Sequence, residues 1–267
     1  MINKLFSLEN RIALVTGATG YLGKSISIAL AGAGAHVIIN GRDATKVKDL
    51  EEELSNKGYK VKGLSFDVTS DTEVENSIKY IENKLGQLDI LVNNAYCGRG
   101  GTFKQSTVND FTSSYEITVI AAFRLIQVSL PLLKKAAQVN KTNASVINIA
   151  SMYGVVSPDP SIYGNRGANN PPYYGAAKAA LIQLTRYASC HLAGDQVRVN
   201  SISPGPFPKP DISIDSPSFY KELCKKNPLH RIGYAEELKG PVIFLASDAS
   251  SFVTGANLIV DGGWTAW

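Results

Sequence analysis

The stretch Thr16-Gly17-Ala18-Thr19-Gly20-Tyr21-Leu22-Gly23 decides how this chain is read. An apolar run, Ile12–Thr16, leads into it, and a second apolar segment of helical character, from Ile26 to Ala31, leads out. Glycines placed between a first strand and a first helix let the backbone approach a pyrophosphate. The unpaired N–H groups of the helix start then favour its negative charge. Without that context the glycine pattern is weak, and the structural alternative is a merely tight turn. Gly17, Thr19, Gly20, Tyr21, Leu22 and Gly23 are therefore candidate cofactor contacts.

Outward from this turn, strand-like apolar runs alternate with helical patterns along nearly the whole chain. The pattern predicts strands at Ile12–Thr16, His36–Asn40, Lys60–Phe66, Ile90–Asn93, Ser145–Ile149, Val197–Ile202 and Asn257–Val260. Repeated strand-helix-strand units of this kind imply an α/β, Rossmann-like, doubly wound seven-stranded parallel sheet with helices on both faces. Residues 1–267 read as a single domain, since no linker, repeat or low-complexity tract divides them. Two segments rich in Pro, Gly, Asn and Ser, 157–172 and 204–217, break the alternation and have the length of functional loops.

Composition narrows the function. Of 267 residues, 44% are hydrophobic and 19% charged, with a formal net charge of +4. That balance belongs to ordinary globular proteins, and the dispersed Lys and Arg make no nucleic-acid footprint. The three cysteines, Cys97, Cys190 and Cys224, and the three histidines, His36, His191 and His230, lack metal-ligand spacing, so no metal is expected. No stretch of about 18 consecutive apolar residues is seen, and the N-terminus carries no signal-peptide pattern, so a cytoplasmic protein without membrane attachment is expected.

At the end of the second strand stands Asn40-Gly41-Arg42-Asp43. A fold of this type selecting NAD usually places an acidic residue there for the ribose 2′-hydroxyl, whereas an arginine pairs with a 2′-phosphate. Arg42 thus favours NADP, with NAD remaining the alternative if Asn40 or Asp43 takes the hydroxyl. Asp67-Val68 and Asn93-Asn94-Ala95 close the third and fourth strands, at the carboxyl ends where open α/β sheets bind ligands.

Tyr174-Gly175-Ala176-Ala177-Lys178 opens a helix, and spacing of four puts phenol and ammonium on one face. An adjacent cation lowers a phenol's pKa towards useful acid/base chemistry. The spacing by itself is as often a helix-surface pair. Here it accompanies Ser151 after the fifth strand, Pro204-Gly205 after the sixth, and Val260-Asp261-Gly262-Gly263-Trp264 at the end.

Taken in order, these motifs resemble the short-chain dehydrogenase/reductase family over essentially the whole chain. The resemblance implies that Tyr174 is the general acid/base, that Lys178 lowers its pKa and bonds the nicotinamide ribose, and that Ser151 bonds the substrate oxygen. It further implies that Asp67 lies by the adenine, that Val68, Asn94 and Ala95 line the cofactor, and that Pro204 and Gly205 border the nicotinamide. A small-molecule substrate and a homo-oligomer, tetramer or dimer, follow from the same resemblance. Tyr173 is excluded by register, because Ala177 lies four residues on.

Three departures qualify the likeness. Tyr21 stands where the family usually has its middle glycine, a spacing commoner in the extended, sugar-nucleotide-modifying branch. Thr118 stands where a relay asparagine is usual. The interval from Ser151 to Tyr174 is roughly ten residues longer than usual, and similar inserts resemble bacterial members assigned to surface-glycan and flagellin-glycan sugar pathways. The insert 157–172 offers carboxylate, guanidinium and amide groups, so a sugar, sugar phosphate or sugar acid is the expected substrate, with Tyr153 walling the pocket and Arg166 holding an anion. A non-sugar ketone or alcohol is the alternative, and an inactive cofactor-binding scaffold a further one.

Overall fold

A computed structural model of the chain describes residues 2–164 and 169–267. The strands are β1 (Ile12–Val15), β2 (His36–Gly41), β3 (Val61–Ser65), β4 (Ile90–Asn93), β5 (Ala144–Ile149), β6 (Val197–Pro204) and β7 (Asn257–Val260). The helices are α1 (Ile2–Leu5), α2 (Tyr21–Gly32), α3 (Ala44–Asn56), α4 (Asp71–Leu85), α5 (Val108–Tyr115), α6 (Ala121–Asn140), α7 (Pro172–Leu192), α8 (Ile212–Asp215), α9 (Pro217–Lys226) and α10 (Lys239–Ala246). All seven expected strands are present, with ends displaced by a residue or two.

The sheet is parallel throughout, in the order β3-β2-β1-β4-β5-β6-β7. The order reverses between β1 and β4, and that is where the carboxyl ends of strands open into a crevice. Every residue of β4, β5 and β6 is buried, and polar ones among them are hydrogen-bonded inside, Asn148 donating to Thr185 Oγ1, Arg198 to Leu245 O and Asn200 to Val253 O. One core layer joins Ile26, Leu30, Val242 and Leu245 to the sheet, and the opposite layer joins Val74, Ile78, Leu125 and Leu133. A third, smaller cluster of Met152, Ile162, Leu223, Ile232 and Trp264 lies apart from both.

Turn chemistry fixes the helix starts. Asp43 caps α3 through Lys46 N, Ser70 caps α4, and Thr107 with Asp110 forms a capping box on α5. A π-helical turn, Glu116–Ile120, joins α5 to α6. The resulting run, Val108–Asn140, is long and apolar enough by length and composition to cross a membrane, though Arg124, Gln127 and Ser129 interrupt its apolar residues. Half of its most apolar 18-residue stretch is buried, and Leu125, Leu132 and Leu133 lie in the core, as for a helix laid against a sheet.

Candidate active site

The glycine turn is shaped by contacts that exclude side chains. Gly17 has φ +63°, and a Cβ on Gly23 would stand 2.2 Å from Gly17 O. Asn94 fastens the turn from β4, its Nδ2 donating to Thr16 O at 3.0 Å and Gly17 O at 3.1 Å. Helix α2 then begins with Gly20 at its N-cap, no side-chain cap and no acidic residue in its first turn, so its N-terminal dipole is left to a ligand. Tyr21 is accommodated because its hydroxyl turns aside and accepts from Ala235 N at 3.2 Å.

These residues line a groove of about 450 Å³ with Asn40, Gly41, Arg42, Phe66, Val68, Ala95, Ile117 and Phe207. An uncapped helix start at one end and a guanidinium at the other fit a dinucleotide carrying an extra phosphate. The two alternatives to Arg42 are engaged elsewhere. Asn40 accepts from Gly17 N and donates to Leu64 O and Phe66 O, while Asp43 caps its helix. Asp67 departs from expectation: it does not line the groove. Its carboxylate accepts from Thr69 N and Oγ1 at 2.8 and 2.7 Å and faces Arg42 at 4.0 Å. Pro204 is likewise buried within β6, and it is Gly205 and Pro206 that reach a cavity wall. Lys209, also on the groove, was missed because its loop has no periodic pattern.

Beside the groove lies a second cavity of about 600 Å³, and the two share Tyr96 and Phe207. Ser151 and Tyr174 line it. Pro171 and Pro172 start α7, which sets Tyr174 in its first turn with Lys178 one turn further on. The loop after β5 can lie directly against this helix because Gly175 has no side chain; a Cβ there would meet Tyr153 O at 2.7 Å. Ser151 and the Tyr174 phenol share a hydrogen bond. The Lys178 ammonium donates to Ile149 O at 2.7 Å and stands 5.7 Å from the Tyr174 ring centroid. Tyr173 is buried and its hydroxyl donates to Arg99 O at 2.9 Å, in keeping with its exclusion by register.

Burial raises the Tyr174 phenol above its ordinary value, opposed by the bond to Ser151. Burial also pushes the Lys178 ammonium down to about 7. Thr118 lies in the π-helical turn near Lys178 and Asn93; its hydroxyl and the Asn93 Oδ1 are buried without a hydrogen-bond partner among the described residues.

The insert contributes differently from its composition. Tyr163, in the 3-10 turn Pro160–Tyr163, reaches the cavity and pairs hydroxyls with Tyr153 at 3.0 Å. Asn169 and Asn170 also line it. Asp159 turns away to an ion pair with Lys226 on α9. Arg166 lies outside the described residues. Arg99, unforeseen, is the cation on the cavity wall, and Ile212, Phe219 and Leu223 make its apolar side.

A family model described as enoyl-(acyl carrier protein) reductase matches residues 17–265. The chain belongs to the short-chain dehydrogenase/reductase family. As a member, it is an oxidoreductase. A tropinone reductase homolog of Arabidopsis thaliana is 34% identical over 99% of the chain and 94% of that protein. The 5-keto-D-gluconate 5-reductase of Escherichia coli K12 is 32% identical over 98% of each. Among solved structures, a gluconate 5-dehydrogenase from Burkholderia cenocepacia in complex with NADP and tartrate superposes with a TM-score of 0.89, at 29% identity and full coverage of both chains.

Proposed function

We propose that this short-chain dehydrogenase/reductase interconverts a carbonyl and an alcohol on a small polyhydroxylated acid or sugar, with NADP(H) as partner. The reading is carried by the cavity in which Ser151 and Tyr174 face hydroxyl and amide groups from Tyr153, Tyr163, Asn169 and Asn170. Relatives that act on a keto-gluconate or gluconate support the same substrate class. When bound, the nicotinamide supplies or accepts the hydride.

The chain's own groups supply the rest. The Ser151 hydroxyl donates to the substrate carbonyl oxygen as charge develops on it, and the Tyr174 phenol delivers the proton that completes the alcohol. In the oxidative direction Tyr174 takes that proton back. Lys178, one turn along the same helix, bonds the ribose and steadies the charge on the phenolate. The uncapped start of α2 holds the pyrophosphate, and Arg42 bonds the 2′-phosphate by charge-assisted contact. Arg99 takes the substrate's carboxylate.

The apolar side of the cavity, Ile212, Phe219 and Leu223, favours a second reading, a non-sugar ketone, in line with the tropinone-reductase relative. NADPH oxidation with 5-keto-D-gluconate, tropinone and an acetoacetyl thioester separates them. The sugar-acid reading expects the keto-gluconate to have the highest kcat/KM. A tenfold preference for either other ketone overturns it.

A further inference from the structure

Tyr96 directly follows Asn93-Asn94-Ala95 at the end of β4, and its ring lines both cavities. On the groove side it stands with Ala95 and Ile117, on the other with Ser151 and Tyr174. It packs edge-on against the Tyr174 ring, with centroids 4.9 Å apart and planes at 72°. The Lys178 ammonium lies over its face, 5.4 Å from the centroid.

The ring is held from behind. Its hydroxyl hydrogen-bonds Ser114 of α5, and Ser114 Oγ in turn donates to Tyr173 O at 3.3 Å. Gly98 provides the space, since a Cβ there would lie 2.1 Å from the Tyr96 hydroxyl. Any side chain at 98 would force the phenol out of this place.

We propose that Tyr96 is a positioning residue for the reaction, its ring clamping the Tyr174 phenol towards Ser151 while its face holds the Lys178 ammonium. The inference rests on the reading of Ser151, Tyr174 and Lys178 as the reacting set. Lys178 is buried and has no carboxylate partner among the described residues; it donates to Ile149 O, the rings of Tyr96 and Tyr174 stand near it, and Asn93 and Thr118 share a small cavity with it. An aromatic face attracts a cation most strongly where water is excluded, so this ring favours the charged amine against the burial that disfavours it. The edge-to-face contact at the same time limits swing of the Tyr174 ring. The titratable groups around Tyr96 are Tyr173, Tyr174 and Lys178 on α7 and the neighbouring Cys97.

The test compares Tyr96→Leu, Tyr96→Phe and Tyr174→Phe in the full chain, with NADPH and whichever of the three ketones above turns over fastest. Tyr96→Leu removes the ring face, and is expected to lower kcat about tenfold at saturating NADPH. The alkaline limb of its reductive kcat profile is expected to move to lower pH by roughly half a unit to one unit, because the charged amine has lost a stabilising face. Tyr96→Phe keeps the ring and is expected to rescue both the turnover and the profile. Wild-type kcat and pH profile in Tyr96→Leu overturns the proposal, as does equal damage in Tyr96→Phe. A lower melting temperature with an unmoved pH profile also counts against it. Retained turnover in Tyr174→Phe instead brings down the underlying reading of the reacting set.

Discussion

The Lys178 ammonium donates to the Ile149 carbonyl oxygen at 2.7 Å, at the carboxyl end of β5, and no carboxylate answers its charge among the described residues. Burial pushes its pKa down to about 7, well below the ordinary value of a lysine. A lowered folded-state pKa in a lysine means that folding disfavours the charged form. The deficit is full below about pH 7 and disappears as pH rises towards the unfolded value. Lys178→Met, of similar shape and without charge, is therefore expected to stabilise the protein at pH 6 by about 1–3 kcal/mol, less at pH 10, while ending catalysis. For a domain of this size each kcal/mol is about 2–4 °C in Tm. Melting curves at the two pH values decide it; a lower Tm at pH 6 than the wild type sinks the idea.

Tyr174→Phe removes the transferable proton and little packing. Turnover is expected to fall at least about 100-fold, with NADPH affinity within a few-fold. Because burial raises this phenol, it stays protonated at neutral pH, so wild-type carbonyl reduction holds up through neutrality while alcohol oxidation climbs into the alkaline range. Rate–pH profiles in both directions check this. Oxidation fastest below pH 7 would contradict the assigned role.

How much of this was legible beforehand depends on the scale of the signal. The sheet was, because parallel strands buried on both faces write short apolar runs such as Ile90–Val92. The grouping of Ser151, Tyr174 and Lys178 came from the resemblance to the short-chain dehydrogenase/reductase family, and helical spacing alone put only Tyr174 and Lys178 on one face. What stayed hidden turns on side-chain direction and on loops. Nothing in the spelling of the insert tells that Asp159 points at Lys226 while Tyr163 points inward. Tyr96 likewise reads as one more aromatic in a loop until α5, Gly98 and α7 surround it. The resemblance put Asp67 by the adenine, and its carboxylate accepts a local turn bond from Thr69 that no sequence pattern signals.

Arg42 is exposed over most of its side chain and lies 4.0 Å from Asp67, which leaves its guanidinium at the groove. A charge-assisted pair with a 2′-phosphate contributes about 1.5–3 kcal/mol, or roughly ten- to 150-fold in affinity. Titration of NADPH and NADH against wild type and Arg42→Ala is expected to show a preference for NADPH that the variant loses. Equal wild-type affinities would refute the preference.

The wall formed by the insert makes the last prediction. Tyr163 stacks on Phe219 of α9 with centroids 5.2 Å apart, and the Asp159–Lys226 pair ties the same two segments together. Stacking and hydroxyl can be separated by substitution. Tyr163→Phe keeps the ring on Phe219 but leaves the Tyr153 hydroxyl without its partner, one polar contact fewer for a hydroxylated substrate. A lost neutral hydrogen bond of about 0.5–1.5 kcal/mol lowers kcat/KM for 5-keto-D-gluconate roughly two- to tenfold. The same change leaves a purely apolar ketone unaffected, since that substrate never used the hydroxyl. Tyr163→Ala also removes the stack, and is expected to raise KM for both classes with NADPH binding unchanged, because Tyr163 does not line the cofactor groove. Steady-state kinetics on both ketones with each variant reads the difference. Equal losses on the two substrates in Tyr163→Phe would mean that the hydroxyl pair holds the wall together and does not recognise substrate.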